Sequence, residues 1–355
     1  MSLELKQVAK RVGAEVHIHP TTLTLERGAF NVLLGTTLAG KTTLMQLMAG
    51  IERPTGGEVW FDGYNVTGVP VRRRNVSMVY QQFINYPHFT IYENIASPLR
   101  VARLDKSEID RRVRSVAELL KLDQMLKRQP NELSGGQQQR TAMARALVKD
   151  SDIILLDEPL ANLDFKLREE LRDELPKIFA DRDCIVVYAT TEPTEALLFG
   201  GYTATLHEGR VTQFGETSGI YRAPADLLSA RVFSDPPINI ASVTKADGEI
   251  RINDQIRWPA SGRFAGLPDG PMTLGLRPHF VHATEVHDHV VPIDVTVQVT
   301  ELSGSESVVH FNLDGMSWVS LAHGIHLFDV GAHARLYADM DHALYFAPDD
   351  TLIAP

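Results

Sequence analysis

The stretch LLGTTLAGKTT, residues 33–43, constrains this chain more than any other feature of its sequence. Gly35, Gly40, Lys41 and Thr42 follow the spacing G-x-x-x-x-G-K-[ST], which is typical of a loop that cradles phosphate groups. In such a loop the lysine reaches the outer phosphates and the threonine hydroxyl can bind Mg²⁺. The predicted nucleotide contacts of the loop are Gly35, Thr36, Thr37, Leu38, Ala39, Gly40, Lys41, Thr42 and Thr43.

The residues on either side predict the local structure that such a loop needs. The apolar run AFNVLL (29–34) predicts a short strand, and apolar residues at helical spacing in 41–50 predict a helix that stops at Gly50. The N-terminus of that helix would attract phosphate oxygens. A plain glycine-rich turn is the alternative, and the strand and helix around the loop favour phosphate binding.

Two carboxylates follow a second predicted strand. The runs DIILLD (152–157) and CIVVY (184–188) are apolar without alternation, which is typical of buried parallel strands. The first would deliver Asp157 and Glu158 to the sheet edge at which ligands of open α/β sheets bind. We expect Asp157 to hold Mg²⁺ and Glu158 to polarise the attacking water. A solvated pair at the start of a helix is the alternative.

Helical segments occupy much of the region around these strands. The stretch LSGGQQQR (133–140) opens a helix and offers a second N-terminus for an anion, or a mere helix cap. Residues 104–130 read as an amphipathic helix or helical pair, with Asp105 and Glu108 spaced like a capping box. In 165–179, Pro176 is expected to kink or end a helix.

Composition and length limit the class of protein. A chain of 355 residues is expected to form two domains. Its net charge of -10 argues against general affinity for nucleic acid or anionic lipid. The single Cys184 is expected to be a buried, inert strand residue, with a reactive thiol as the alternative. No apolar run is long enough to cross a bilayer and no secretory signal is present, so a cytoplasmic protein is expected.

The sequence pattern changes after SDPPINI (234–240). Short segments with alternating apolar residues follow, separated by Gly, Asp and Pro, which is the pattern of a small antiparallel barrel or sandwich. We therefore place the domain boundary at Pro236 and Pro237, with domains 1–235 and 236–355.

Taken together, these motifs resemble those of ABC-transporter ATPases, in particular the sugar-importer type with a C-terminal accessory domain. LSGGQ is the signature of that family, MVYQQFINYPHFTIYENI places Gln81 in its Q-loop, and LANLD places Asp164 in its D-loop. The segments LGLRPHFV, VTELSGSESVVHF and YADMDHALYF are similar to its C-terminal OB-like barrel. LAGKTTLMQLMAG, QQFINYP and ATTEPTEALL further resemble the ATPase subunits of glycerol uptake systems.

This resemblance implies an α/β P-loop NTPase domain with a helical subdomain at about 83–150 and an all-β OB-like (TOBE-type) barrel. It implies ATP and Mg²⁺ as cofactors, with Thr42, Gln81 and Asp157 as Mg²⁺ ligands and Glu158 and Gln81 as catalytic residues. Two ATPase subunits would close head to tail around two ATP molecules. The residues that would contact ATP of the opposite subunit are Ser134, Gly135, Gly136, Gln137 and Asp164.

The resemblance also implies partners and a location. Two integral-membrane permease subunits would dock near Gln81, next to the apolar and aromatic FINYPHFTIY (83–92). A locally packed helical subdomain is a second, compatible interpretation of that stretch. A solute-binding protein would act indirectly, no nucleic acid is expected, and the chain would lie at the cytoplasmic face of the inner membrane as a peripheral subunit.

The chain departs from the family pattern at three positions. Thr191 stands where the family has its switch histidine, and a threonine is short and cannot carry charge. Leu38 replaces a small residue inside the phosphate loop, and leucine is strained if that position has a positive φ. Val12 stands where an aromatic residue usually stacks on adenine, and His17 or His19 would have to substitute.

These departures lead to a hypothesis of an asymmetric pair, in which this subunit joins a related but different one. The site with this chain's Lys41 and Glu158 would bind ATP and hydrolyse it slowly, and the other site would work normally. A homodimer in which Thr191 and a neighbouring group suffice is the alternative. Two further readings are a soluble ABC ATPase that acts on DNA or ribosomes, which the acidic charge disfavours, and a mainly regulatory subunit.

Overall fold

The computed structural model describes residues 2–180 and 182–354. The chain forms two compact units, Met1–Thr217 and Ser218–Pro355. Neither unit contains, within those described ranges, a helix long and apolar enough to span a membrane.

Among its described residues, the first unit holds ten strands and six α-helices and begins a seventh α-helix at its last residue. Its strands are β1 (Ser2–Val12), β2 (Glu15–Glu26), β3 (Phe30–Gly35), β4 (Gly56–Phe61), β5 (Tyr64–Asn65), β6 (Val76–Val79), β7 (Ile153–Asp157), β8 (Ile185–Thr190), β9 (Tyr202–His207) and β10 (Arg210–Glu216). Its helices are α1 (Lys41–Ala49), α2 (Ile91–Val101), α3 (Lys106–Leu119), α4 (Gly135–Leu147), α5 (Phe165–Ala180), α6 (Pro193–Phe199) and the start of α7 (Thr217–Arg222).

A six-stranded sheet forms the centre of this unit, in the order β10-β9-β3-β8-β7-β6. Strands β9, β3, β8, β7 and β6 run parallel, and β10 pairs antiparallel with β9. All residues of β3, β7 and β8 are buried, as their unbroken apolar pattern predicts. The carboxyl ends of β3 and β7 therefore meet at one edge with β8 between them.

A second sheet, in the order β2-β1-β4-β5, is antiparallel. Its apolar side chains share one core with those of α1 and the central sheet, including Leu5, Leu25, Leu44 and Val187. This shared core fixes α1 directly beneath the loop that precedes it. The helix ends at Gly50, whose left-handed φ of 76° terminates it where the sequence predicts a stop.

Helices α2, α3 and α4 lie between β6 and β7 in the chain and correspond to the predicted helical subdomain. The predicted capping box of α3 is wrong: Asp105 is the N-cap without a side-chain hydrogen bond, and Glu108 pairs with Arg111 and Arg112 instead. Capping boxes do form at Thr90 of α2 and Ser134 of α4. Pro176 does not end α5, which continues to Ala180.

The second unit is mainly β-structure. After α7 and α8 (Leu227–Val232) come β11 (Asn239–Ala246), β12 (Glu249–Arg251), β13 (Arg257–Pro259), β14 (Gly270–Leu276), β15 (Val281–His282), β16 (Val291–Leu302), β17 (Glu306–Leu313), β18 (Met316–His323), β19 (His333–Ala338), β20 (Leu344–Phe346) and β21 (Leu352–Ala354).

These strands form two antiparallel sheets, one in the order β13-β12-β11-β14-β20-β21 and one in the order β15-β19-β16-β17-β18. The Ser320 hydroxyl of β18 donates a hydrogen bond to the Val281 carbonyl of β15, so the five-stranded sheet curls until its edges meet. Trp318 and Phe311 are fully buried in its core. This nearly closed sheet confirms the predicted OB-like fold of the C-terminal part.

The two compact units divide at Thr217, whereas the sequence places a domain boundary at Pro236. The physical reason is the packing of α8, whose Leu227 and Ala230 share a small apolar core with Leu344 and Phe346. The backbone of Leu227 also donates to the carbonyl of Asp350. The assignment of residues 218–235 to the nucleotide-binding domain thus stays a prediction that this packing does not support.

Candidate functional site

The phosphate loop begins where β3 ends, and its glycines are required by space. A Cβ atom on Gly35 would lie 2.5 Å from the carbonyl oxygen of Leu206 and 2.9 Å from the Cβ of Ala39. Gly40 has a φ of 99° and is the N-cap of α1, where a side chain would also meet Ile18. Both positions therefore admit only glycine without a backbone shift.

Leu38 projects from the middle of this loop. Its φ is 68°, a left-handed conformation that costs an L-residue about 1–2 kcal/mol relative to the right-handed region. Its side chain is 94% exposed, so burial within the described chain does not offset the strain. The positive φ on which the sequence prediction of strain depended is present.

Lys41 is the first residue of α1 and is only 5% exposed. Its ammonium donates to the carbonyl oxygens of Gly35 at 2.7 Å and Thr36 at 3.1 Å, and lies 3.2 Å from Oε1 of Glu158. Burial lowers the pKa of Lys41, and the Glu158 carboxylate opposes that shift. The lysine is thus held at the sheet edge by neighbours that a phosphate group can replace.

Thr42 and Asp157 meet across the sequence at the same edge. The Thr42 hydroxyl donates to Oδ2 of Asp157 at 2.7 Å, and Asp157 is 1% exposed. Burial raises the pKa of Asp157, the charge of Glu158 raises it further, and the Thr42 hydrogen bond opposes both. A carboxylate and a hydroxyl this close form a hard oxygen pair of the kind that Mg²⁺ prefers, so these residues fit the predicted ion.

Glu158 lies at the centre of the site. One carboxylate oxygen faces Lys41, and the other accepts a hydrogen bond from Nε2 of Gln81 at 2.8 Å. Its φ is 46°, and its N–H donates to the carbonyl of Ala189 in β8 at 3.0 Å. The structure thus brings together Lys41, Gln81 and Glu158, which the sequence predicts as one site.

A cleft of about 560 Å³ opens above these groups. His17 lines this cleft, so of the two proposed substitutes for an adenine-stacking residue it is the one in position. Neither Val12 nor His19 is among the lining residues that the structure describes. Most predicted loop residues line it, namely Thr37, Leu38, Ala39, Gly40, Lys41, Thr42 and Thr43.

Three further lining residues escaped the sequence analysis: Val16, Glu208 and Gly209. Glu208 and Gly209 form the turn between β9 and β10, and the Gly209 N–H donates to the carbonyl of Ala39 at 2.9 Å. The dipeptide Glu-Gly predicts a turn, but the sequence does not show that this turn lies against the phosphate loop. Its position follows from the tertiary fold.

The signature residues do not reach this cleft within the described chain. Ser134 caps α4, its hydroxyl accepting from the N–H of Gln137 while its own N–H donates to the Gln137 side chain. Ser134 and Gly135 are exposed, which is the condition for contact with another molecule. Asp164 instead caps α5 by accepting from the N–H of Leu167 at 3.0 Å. The role of these residues and of Gly136 toward a second ATP stays a prediction.

Thr191 is exposed at the end of β8. Its neighbours are anchored: the Thr190 hydroxyl donates to Glu195 at 2.5 Å and accepts from the N–H of Glu192. Thr191 is not one of the described residues that line the cleft, so its predicted part in catalysis stays a prediction.

A groove of about 430 Å³, lined by both apolar and polar side chains, adjoins the Gln81 segment between β6 and helices α2 and α4. Ile84 and Tyr86 are exposed on its rim, and the Arg145 guanidinium lies over the Tyr86 ring at 4.4 Å. Asn94 holds the same segment from inside through bonds to the carbonyls of Tyr86 and Phe89. The stretch is therefore both locally packed and open on one side.

Comparison with known proteins identifies the family. The ABC transporter family model matches residues 18–161. The chain is 35% identical to the sn-glycerol-3-phosphate import ATP-binding protein UgpC of Salmonella typhi over 311 residues, 87% of each chain. It is also 35% identical to the trehalose/maltose import ATP-binding protein MalK of Thermococcus litoralis, over 89% of this chain and 90% of the relative.

The fold agrees with solved structures. The dimeric ATP-binding cassette MJ0796, bound to ADP and Pi in a post-hydrolysis state, matches with a TM-score of 0.56 and 30% identity. The match covers 61% of this chain and 98% of the cassette. With these similarities and the geometry above, the chain belongs to the ABC transporter ATP-binding family and is an ATP hydrolase of that family.

Proposed function

We propose that the protein is the ATP-binding subunit of a binding-protein-dependent importer and couples ATP binding and hydrolysis to uptake of a polyol or carbohydrate. The observation that carries the proposal is the convergence of Lys41, Thr42, Gln81, Asp157 and Glu158 at one sheet edge. The importer assignment draws on the relatives, whose names describe import of glycerol 3-phosphate and of trehalose or maltose.

In this proposal each group at the edge has a task. Lys41 leaves the carbonyls of Gly35 and Thr36 to bind the outer phosphates of ATP. Thr42 and Asp157, with Gln81, would hold Mg²⁺, whose charge would neutralise part of the phosphate charge. Glu158, once released by Lys41 and Gln81, accepts a hydrogen bond from the attacking water and orients it.

The proposed solute is glycerol. Its support is the similarity of the loop, Q-loop and switch segments to glycerol uptake ATPases, since no transported molecule touches this subunit. The test is to reconstitute the whole complex with its solute-binding protein and measure ATP turnover with glycerol, glycerol 3-phosphate and maltose. Stimulation by glycerol alone supports the proposal; stimulation only by another solute contradicts glycerol and keeps the importer class.

The proposed partners are a second, non-identical ATPase subunit and two permease subunits that dock in the groove beside Gln81, at the cytoplasmic face of the inner membrane. The non-identical pairing is supported by Thr191 at the switch position and by the strained Leu38. Glu158→Gln in the assembled complex tests it, compared with the equivalent change in the second ATPase subunit. Equal losses of ATP turnover from the two changes contradict the asymmetric pair, and an assembled complex that holds two copies of this chain favours a homodimer. Failure of the chain to copurify with membrane subunits would favour the regulatory or soluble alternatives.

A further inference from the structure

A cluster of ion pairs outside the cleft joins α5 to the segment after β8. Arg168 and Arg172, one helical turn apart on α5, both bind the carboxylate of Glu192. Arg168 Nη1 lies 3.0 Å from Oε1 of Glu192, and Arg172 binds the other oxygen. Two guanidinium groups on one carboxylate hold that side chain from both sides.

Arg168 also contacts the loop that follows Glu158. Arg168 Nη2 donates to the carbonyl of Ala161 at 3.2 Å, and the N–H of Ala161 donates back to the carbonyl of Glu158 at 3.3 Å. The positive φ of Glu158 is a strained conformation that persists only where the surrounding structure holds it. Through Ala161, Arg168 contacts the turn that begins with this strained residue.

The segment after β8 is fixed by a second carboxylate. Glu195 is 4% exposed and accepts hydrogen bonds from Thr190 at 2.5 Å and from Tyr188 at 3.0 Å. Arg172 Nε lies 3.3 Å from its other oxygen. Thr191 therefore sits between two anchored residues, Thr190 and Glu192.

We propose that Arg168 is a positioning residue for ATP hydrolysis, because it fixes the loop after Glu158 and the segment of Thr191 relative to each other. A threonine cannot supply the charge of a histidine and can act only through hydrogen bonds of its hydroxyl. Its contribution to hydrolysis therefore depends on the position in which Thr191 is held. The inference rests on the roles of Glu158 and Thr191 in the proposed function.

The test uses the assembled complex in which the second ATPase subunit carries glutamine in place of its own catalytic glutamate, so that the measured turnover comes from the site of this chain. Arg168→Gln is expected to lower kcat about 10- to 100-fold, since a misplacement near 1 Å can have that effect. The KM for ATP stays within about twofold, because Arg168 is not a residue of the nucleotide cleft.

Glu192→Gln is expected to lower kcat as well, and the double variant should be little worse than either single variant, because each change removes the Arg168–Glu192 contact through which the loop and the segment are linked. Arg114→Gln, which removes an exposed ion pair with Asp110 on α3, is the matched control and leaves kcat unchanged. Arg168→Lys keeps the positive charge but cannot contact Glu192 and the Ala161 carbonyl at the same time as a guanidinium does. It replaces Arg168→Gln in the test if that variant does not fold.

An unchanged kcat in Arg168→Gln, or fully additive losses with Glu192→Gln, overturns the inference. A raised KM with unchanged kcat also overturns it, since that pattern indicates an effect on binding alone. Glu158→Gln in the same complex separates the two ideas. If Glu158→Gln leaves turnover intact, the proposed role of Glu158 fails; if it abolishes turnover while Arg168→Gln does not reduce it, only the inference fails.

Discussion

Leu38 lies in the phosphate loop in a strained backbone conformation, which lowers the stability of the folded protein. Leu38→Gly is expected to raise the free energy of unfolding by about 0.5–1 kcal/mol, because glycine removes the strain of a φ of 68° and loses part of the gain through its freer unfolded state. Urea unfolding of the full chain measures this. The matched variant Leu38→Ala keeps a Cβ atom at the same φ and should show no comparable gain. A glycine variant that is less stable than the wild type would show that the leucine side chain has a stabilising contact.

The sequence predicts those residues of the site that belong to a recognisable motif or follow an apolar strand. Gly35, Lys41 and Asp157 lie where the sequence predicts them. The motif and the apolar runs locate the ends of two buried parallel strands, and the carboxyl ends of such strands meet at one edge of the sheet. Glu208 and Gly209 could not be predicted in the same way. Their place at the cleft depends on β9 pairing with β3, a contact between distant parts of the chain.

At the level of single elements, competing ion pairs influence whether two residues with capping-box spacing form a box. Asp105 and Glu108 have capping-box spacing, but the Glu108 carboxylate accepts hydrogen bonds from Arg111 and Arg112, and Asp105 makes no side-chain cap bond. Thr90 and Glu93 have the same spacing, the Glu93 carboxylate accepts hydrogen bonds from the N–H and the hydroxyl of Thr90, and their box forms. Spacing alone therefore does not separate the two.

Helix α5 carries a proline that the fold tolerates. Pro176 has no N–H to donate to the carbonyl of Arg172, so Pro176→Ala is expected to raise the free energy of unfolding by about 1–2 kcal/mol, less than the full helix penalty of proline because some packing is lost. Thermal and urea unfolding measure the change. Lys177→Ala, at the exposed neighbouring position, should stay within about 0.5 kcal/mol of the wild type. If Pro176→Ala instead lowers the free energy of unfolding, the packing of the proline ring stabilises the protein by more than the missing hydrogen bond destabilises it.

For the molecule as a whole, the sequence predicts two domain types and their order, and the structure has both. The boundary at Pro236 stays a prediction: the compact units divide at Thr217, and Leu227 of α8 shares a small apolar core with Phe346, a packing that the local sequence pattern does not reveal. Each unit also has its own apolar core: Leu44 belongs to one and Trp318 to the other.

Separate cores give a prediction for ligand binding. ATP with Mg²⁺ at about 100 times its dissociation constant should stabilise the first unit by about 2.7 kcal/mol. The second unit should not gain. Calorimetry can follow both transitions, and the fluorescence of Trp258 and Trp318 in a Trp60→Phe variant reports the second unit alone. A single transition that shifts upward with the ligand, in place of two, would show that the two units unfold as one.

The order of strands in the central sheet also determines when the nucleotide site can exist during synthesis. Strand β8 lies between β3 and β7, although it follows both in the chain. The loop that ends at Thr42 therefore leaves the ribosome long before its surroundings are complete, and its contact with Asp157 joins residues 115 positions apart. Because such distant contacts form late, a nascent chain gains affinity for nucleotide only after Thr190 has emerged, and a chain truncated before β8 carries the motif without the site.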